Sequence, residues 1–112
     1  MQVSVTSDRS GGVLTVAVSG EVDLASAPDV EQAIADALRT DGVTTVQVDL
    51  SGVRFLDSSG IALLLRGRRD ADERAVGYRV TGAHGIARQI LELTGVWAHL
   101  SGDPDRSAPT AP

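Results

Sequence analysis

The chain has 112 residues, of which 42% are apolar and 22% charged, and a formal net charge of −5; this length is typical of one domain. The absence of cysteine excludes a disulfide framework, a thiolate zinc site and a cysteine nucleophile. The negative charge argues against direct nucleic-acid binding. Because there is no membrane-length apolar run and no signal-peptide pattern, we expect a cytoplasmic protein without a membrane partner.

The first half of the chain predicts a hairpin followed by a helix. Residues 2–6 alternate polar and apolar side chains, residues 8–12 supply turn residues, and residues 13–18 favour a second strand. Residues 26–29 then provide a cap candidate, a proline in the first turn and an acid near the helix start. The stripe of Val30, Ala33, Ile34, Ala37 and Leu38 predicts a helix that ends at Asp41-Gly42.

The middle of the chain predicts a strand, a turn and a second helix. Residues 43–50 alternate as a strand does, and residues 51–60 follow as a turn. The helix is expected to begin near Ser58 or Ser59. The apolar residues expected on its buried face are Ile61, Ala62, Leu64 and Leu65. Its later part, including Arg66, carries charges of both signs, which indicates a solvated surface.

The last part of the chain predicts a short strand at Tyr78 and Val80, then a third helix and a final extended piece over residues 96–100. The buried stripe of that helix is expected to contain Ile86, Ile90 and Leu93. Residues 101–112 hold three of the four prolines and are expected to be a disordered tail. The large aromatic residues Phe55, Tyr78 and Trp97 are expected in the core, and His84 in a capping or exposed position.

Strands that alternate with amphipathic helices indicate right-handed β-α-β crossovers. The leading hairpin requires at least one antiparallel pairing. We therefore predict an α/β domain over residues 1–100, with a mixed sheet of four or five strands and three to four helices packed mainly on one face.

The clearest chemical signal is Asp57-Ser58-Ser59-Gly60, at the junction of a strand and a helix. Asp57 or Ser58 could cap the helix, an interaction worth about 1 kcal/mol. Alternatively, Ser58 could accept a phosphoryl group, because a helix N-terminus favours phosphate and Gly60 leaves room for another protein to approach. A nucleophilic Ser58 is not supported, since a serine elbow has glycine on both sides and residue 56 is Leu. Composition alone does not choose between the cap and the phosphorylation site.

Three segments carry a resemblance to a known family. Residues 53–64 are similar to the signature of bacterial anti-sigma-factor antagonists, the small STAS domains. Residues 18–24 resemble that family's Gly-Glu-x-Asp motif through Gly20, Glu21 and Asp23. Residues 90–96 resemble its last helix and the glycine that stops it. The three segments lie in family-like order over about residues 3–100.

The resemblance implies a protein that switches partners and is not an enzyme. Family members bind an anti-sigma factor that is also a serine kinase with a histidine-kinase-like ATPase fold, and this binding frees a sigma factor to join RNA polymerase. The kinase phosphorylates a serine of the antagonist, which then dissociates, and a metal-dependent PP2C-type phosphatase removes the phosphate. The resemblance implies no cofactor, no metal site and no direct nucleic-acid contact, and we expect a monomer or weak dimer.

By the family motif, Ser58 is the implied phosphate acceptor and Ser59 the fallback. The residues implied in partner binding are Glu21, Asp23, Asp57, Ser59 and Gly60. Alternatively, Asp23 only caps a turn and Glu21 is only a solvated strand end.

Two other functions remain open. STAS domains also build large stress-signalling assemblies in which phosphorylation releases a kinase, although we expect no sensory region before this domain. Some STAS domains bind nucleotides, but the sequence contains no Gly-rich phosphate loop. The sequence also departs from the family pattern where a polar tail begins at Ser101, since the family usually closes with a further helix.

Overall fold

A computed structural model describes residues 3–101 of the chain. Within them, four strands are β1 (Val3–Ser10), β2 (Val13–Val22), β3 (Thr45–Leu56) and β4 (Gly77–Thr81). Four helices are α1 (Ala27–Leu38), α2 (Ser58–Arg74), α3 (Gly85–Leu93) and α4 (Trp97–Ser101). None of the helices in these residues is long and apolar enough to cross a membrane.

The strands form a mixed sheet in the order β1-β2-β3-β4. β1 pairs with β2 in antiparallel orientation, whereas β2–β3 and β3–β4 are parallel pairs. The predicted hairpin, mixed sheet and α/β architecture are confirmed. The turn is shorter than expected, because β1 continues to Ser10 and only Gly11 and Gly12 form it. Gly11 has a φ of 60°, a conformation that a residue without a side chain adopts readily.

The core lies under one face of the sheet. Alternate residues of the two central strands are buried, and their neighbours are only partly covered. The buried residues of this alternation are Leu14, Val16, Val18, Val46, Val48 and Leu50, and Val22, Val53 and Leu56 are buried farther along the same two strands. α1 covers them with the stripe predicted from its sequence, in which Val30, Ile34, Ala37 and Leu38 are buried.

The central strand β3 is longer than the sequence predicted. Residues 51–56, expected as a turn, continue β3 as far as Leu56. The pairing of β2 with β3 shifts register between Ala17 and Ser19 and again between Gly20 and Glu21. These shifts are irregularities in the strand pairing. β3 continues through them and does not end at the local turn residues. As a result, the carboxyl ends of β2 and β3 lie side by side, with Val22 paired to Leu56.

The buried faces of two helices differ from those predicted. In α2, Leu63 is buried although it was not expected on the buried face. Ala62, which was expected there, is only partly buried. In α3, Ala87 and Leu91 face the core. The expected stripe of α3 points outward instead, with Ile86 56% and Leu93 85% exposed and Ile90 only partly buried. Ala87 and Leu91 are one helical turn apart, as are Ile86 and Ile90. Helical periodicity therefore fits both faces of α3 and does not choose between them.

The C-terminal part of the described chain is helical. The extended piece predicted for residues 96–100 is wrong, because residues 97–101 form α4 and Leu100 is fully buried. Of the predicted disordered tail, Ser101 is the last residue of α4, and residues 102–112 lie outside the described range.

The three large aromatic residues lie in different environments. Tyr78 is a core residue as predicted, and its hydroxyl donates to the Leu64 carbonyl at 2.9 Å. Trp97 is partly buried, with the guanidinium of Arg88 4.3 Å from its ring centre. Phe55 was expected in the core, but it is 38% exposed near the end of β3. The irregular pairing of β3 takes Phe55 out of the alternation that buries other strand residues.

Candidate functional site

The predicted site residues gather where β2 and β3 end. Because Val22 pairs with Leu56 in parallel strands, Asp23 and Asp57 leave the sheet at the same edge. The amide of Asp57 also donates to the Val22 carbonyl at 3.1 Å, which ties the second segment to the first. The carboxyl edge of parallel strands is where α/β folds commonly place their functional residues. Two motifs that are distant in sequence thus form one surface.

Asp57 caps α2. Its Oδ1 atom accepts from the amide of Ser59 at 2.8 Å and from that of Gly60 at 3.3 Å. Of the two cap candidates in the sequence, the structure therefore selects Asp57. Ser58 becomes the first residue of α2, and its side chain is exposed to solvent, whereas Ser59 is only partly exposed.

Asp23 organises the turn between β2 and α1. Its Oδ1 atom accepts from the Ser26 amide at 3.0 Å, and the Ser26 hydroxyl accepts from the Asp23 amide at 2.9 Å. The backbone amide of Ser26 holds the pKa of the Asp23 carboxyl below its ordinary value. Asp23 thus has the turn-capping role that the sequence offered as an alternative, and its role in partner binding remains a prediction.

Glu21 lies in a strand end but is not simply solvated. Arg54 donates to its Oε2 atom from Nη2 at 2.5 Å and from Nε at 3.0 Å. The Glu21 side chain is 22% exposed and that of Arg54 is 72% exposed. Arg54 was not predicted as a neighbour of Glu21, because the pair depends on the shifted register between β2 and β3.

Gly60 has a different structural role from the one predicted. It is buried, and a Cβ atom there would lie 3.0 Å from Leu56 Cβ and 3.2 Å from Val22 Cγ1. The missing side chain therefore lets α2 approach the ends of β2 and β3, and the role of Gly60 in partner binding remains a prediction. Its contribution to the site is to seat the first turn of α2 against the sheet.

A groove of about 370 Å³ runs between the start of α1 and the first half of α2. The residues that line it are Leu24, Ala27, Pro28, Glu31, Ser58, Ser59, Ala62 and Arg66. Leu24 is 77% exposed. Leu24 was not among the predicted site residues, although an apolar side chain in a turn directly after Asp23 was a visible signal.

Arg66 and Glu31 form an ion pair in this groove. The guanidinium donates to both carboxylate oxygens, at 2.6 and 3.0 Å. Arg66 lowers the pKa of Glu31 through this hydrogen bond. The sequence indicated only that Arg66 lies on a solvated helix surface, because the spacing of residues on α2 does not reveal the acid on α1.

The arrangement offers an exposed hydroxyl at a helix N-terminus, directly after the Asp57 carboxylate that caps the helix. The described residues that line the groove include two serines but no histidine. Their one cationic side chain, Arg66, is already paired with Glu31. A phosphate on Ser58 would lie at the positive end of α2, where Asp57 already accepts from the Ser59 and Gly60 amides. Chemically, these residues suit a surface that is modified and read by another protein.

Comparison with known proteins identifies relatives of this chain. Residues 5–101 match the family model described as "Mlab, STAS domain". The anti-sigma-F factor antagonist RsfB of Mycobacterium tuberculosis is 30% identical over 94 residues, which cover 84% of this chain and 75% of RsfB. An anti-sigma-B factor antagonist of Staphylococcus aureus is 23% identical over 96 residues, which cover 86% of this chain and 88% of that protein.

Solved structures show the same fold. The crystal structure of an anti-sigma factor antagonist from Mycobacterium paratuberculosis has a TM-score of 0.79 and 31% identity, and the match covers 95% of this chain and 91% of that one. The anti-sigma factor antagonist SpoIIAA in its unphosphorylated form has a TM-score of 0.72 and 20% identity, with 84% and 83% covered. The resemblance seen in the sequence motifs is therefore confirmed over nearly the whole domain, and the chain belongs to the anti-sigma-factor antagonist family of STAS domains.

Proposed function

We propose that this domain, with Ser58 unmodified, binds an anti-sigma factor that is a serine kinase of the histidine-kinase-like ATPase fold, and thereby frees a sigma factor. The supporting observation is the exposed Ser58 side chain at the first residue of α2, next to Asp57 and on the groove between α1 and α2. The names of its relatives, anti-sigma-factor antagonists, fit this role. In this proposal the domain is a cytoplasmic, non-enzymatic regulator, and a PP2C-type phosphatase resets it.

Phosphorylation of Ser58 acts through local charge. The phosphate adds about −1.5 to −2 charges, at a sheet edge that already carries Asp23 and Asp57. This negative charge costs several kcal/mol where the docked ATPase presents negative groups, such as the phosphates of its nucleotide, across the interface. A loss of about 3 kcal/mol weakens binding more than a hundredfold. The fold itself need not change, because the phosphate is added to the exposed first residue of α2, at the positive end of the helix.

Ser58 is a better acceptor than Ser59 for a geometric reason. Ser58 is exposed, whereas Ser59 is partly covered and its amide is held by the Asp57 carboxylate at 2.8 Å. A kinase that docks on this surface reaches the Ser58 hydroxyl without disturbing the cap of α2.

The proposal is tested with three bait proteins in native cell extract. Ser58→Ala keeps the surface neutral, Ser58→Asp adds a charge at the site, and Ser10→Asp is the matched control. Ser10 is exposed and pairs with Val13, which places it at the opposite end of the sheet. We expect a histidine-kinase-like ATPase on the Ser58→Ala and Ser10→Asp baits and not on the Ser58→Asp bait.

Each other outcome has a defined meaning. Recovery of the ATPase on all three baits removes Ser58 as the switch. Recovery on none of them contradicts the proposed partner.

The acceptor itself is identified by incubating the captured ATPase and ATP with wild-type protein, Ser58→Ala and Ser59→Ala, and mapping the phosphate by mass spectrometry. We expect phosphate on wild type and Ser59→Ala only.

A further inference from the structure

We propose that Leu24 is the apolar anchor of the partner interface and that Ser26 is a positioning residue that holds the Leu24 turn in its binding conformation. This inference rests on the proposed function and deepens it. Four large apolar side chains are exposed within residues 3–101, namely Leu24, Phe55, Ile86 and Leu93. Of these, Leu24 lines the groove that also contains Ser58. A few side chains that lose their solvent near the centre of an interface carry most of its binding energy, and removing a large apolar side chain from water is favourable.

The turn that presents Leu24 is fixed by Ser26. The Ser26 hydroxyl donates to the Glu21 carbonyl at 2.9 Å and accepts from the Asp23 amide at 2.9 Å. Ser26 occupies the N-cap position of α1, yet its side chain makes no cap hydrogen bond to that helix. The polar residue Ser26 is also buried, with 7% of its surface exposed. Its hydroxyl is therefore committed to the preceding turn, and preorganisation of this kind lowers the entropy cost of binding.

The groove beside Leu24 suits an uncharged occupant. Its lining includes the small or apolar residues Ala27, Pro28 and Ala62. Arg66 and Glu31, which also line it, neutralise each other through two hydrogen bonds. Neither side chain therefore needs a charged group of the partner to balance its charge. We therefore assign the groove to an apolar side chain of the anti-sigma factor, packed against Leu24 and next to the Ser58 hydroxyl.

The first test compares two exposed leucines. In the Ser58→Ala background, Leu24→Ala and Leu93→Ala are each titrated with the purified ATPase captured by the bait, using isothermal calorimetry. Leu93 is 85% exposed and lies on α3, so it gives the same chemical change away from the groove. We expect Leu24→Ala to weaken binding about thirtyfold, equivalent to about 2 kcal/mol, and Leu93→Ala to change it less than twofold.

The second test separates positioning from stability. Ser26→Ala is expected to weaken binding about fivefold and to accelerate hydrogen exchange at the Asp23 amide, which loses its acceptor. Added to Leu24→Ala, it is expected to cause no further loss of affinity, because the anchor that Ser26 positions is gone. Equal losses in both backgrounds contradict the positioning role. Leu24→Ala changes an exposed side chain, so the anchor itself remains testable even where Ser26→Ala unfolds.

The outcomes distinguish the two proposals. If Leu24→Ala binds as tightly as Leu93→Ala while Ser58→Asp still fails to bind, the anchor is wrong and the phosphorylation switch stands. If the ATPase binds Ser58→Asp and Ser58→Ala equally, the switch is wrong and the leucine comparison still decides the anchor. If no ATPase is captured by any variant, both proposals are overturned.

Discussion

Asp57 offers a direct test of how the candidate site is held in place. Its carboxylate accepts from the Ser59 amide at 2.8 Å and from the Gly60 amide at 3.3 Å. Replacing it with alanine removes the oxygen that accepts both bonds at the start of a 17-residue helix. Replacing it with asparagine keeps an oxygen that can accept the same bonds and removes only the charge.

The two losses differ in size. The first of the two bonds is short and the second long, so together they contribute about one N-cap interaction, roughly 1 kcal/mol. A negative charge near the positive end of a helix contributes about 0.3–1 kcal/mol more. We therefore expect Asp57→Ala to lower the free energy of unfolding by about 1.5 kcal/mol and Asp57→Asn by about 0.5 kcal/mol. For a domain of this size these losses lower Tm by roughly 6–12 °C and 2–4 °C.

Calorimetric melting and urea unfolding of the two variants and the wild type measure these losses. Equal destabilisation by Asn and Ala would show that the charge, and not the hydrogen bonds, stabilises the first turn. An unchanged Tm for Asp57→Ala would refute the cap altogether.

Three further changes have defined expectations. A Cβ at Gly67 would lie 2.6 Å from Tyr78 Oη. This overpacking costs about 1–3 kcal/mol and exceeds the gain in helix propensity of about 1 kcal/mol, so Gly67→Ala should lower the urea midpoint. Leu100 is fully buried, so Leu100→Ala should cost about 2–5 kcal/mol in urea unfolding. The Ser26 amide depresses the pKa of Asp23, so stability from this contact is present above about pH 4 and lost as the carboxylate protonates in more acidic solution. Asp23→Asn should therefore flatten the acid side of the stability–pH curve.

Each of these expectations has its own contradicting result. Gly67→Ala should cost less in a Tyr78→Phe background, which lacks the crowded oxygen, and an equal cost in both backgrounds argues against the clash. A near-neutral Leu100→Ala would mean that α4 does not dock in solution. Parallel stability curves for Asp23→Asn and wild type below pH 4 would show that the turn does not bind the carboxylate preferentially.

Much of the fold follows from local pattern, and the errors arise where tertiary contacts decide. The alternation of β2 and β3 and the stripe of α1 predicted their buried residues, because one face of each is covered by a single core. In α3, two apolar stripes satisfy the helical period, and packing against the sheet selected the one with the small Ala87. The extension of β3 through residues 51–56 depends on pairing with β2, and the local sequence of these residues does not show that pairing.

The candidate site was predictable in its parts and not in its surroundings. The motifs around Asp23 and Asp57 were visible in the sequence, and parallel pairing of β2 with β3 brings them together. The Arg66–Glu31 pair joins two helices, and its formation depends on how α1 packs on α2. The close packing of Gly60 against Leu56 and Val22 was not predicted, because a glycine that permits approach by a partner and one that permits close internal packing look the same in sequence.

The backbone hydrogen bond from Asp57 to Val22 has a consequence for the kinetics of association. It joins the two segments of the site through main-chain atoms at the end of the sheet, so the partner meets a surface that is already assembled. Binding to such a surface requires no slow rearrangement, and its rate should rise in proportion to partner concentration, with a rate constant of roughly 10⁵–10⁷ M⁻¹s⁻¹. The lifetime of the complex, rather than the speed of encounter, then distinguishes a good partner from a poor one.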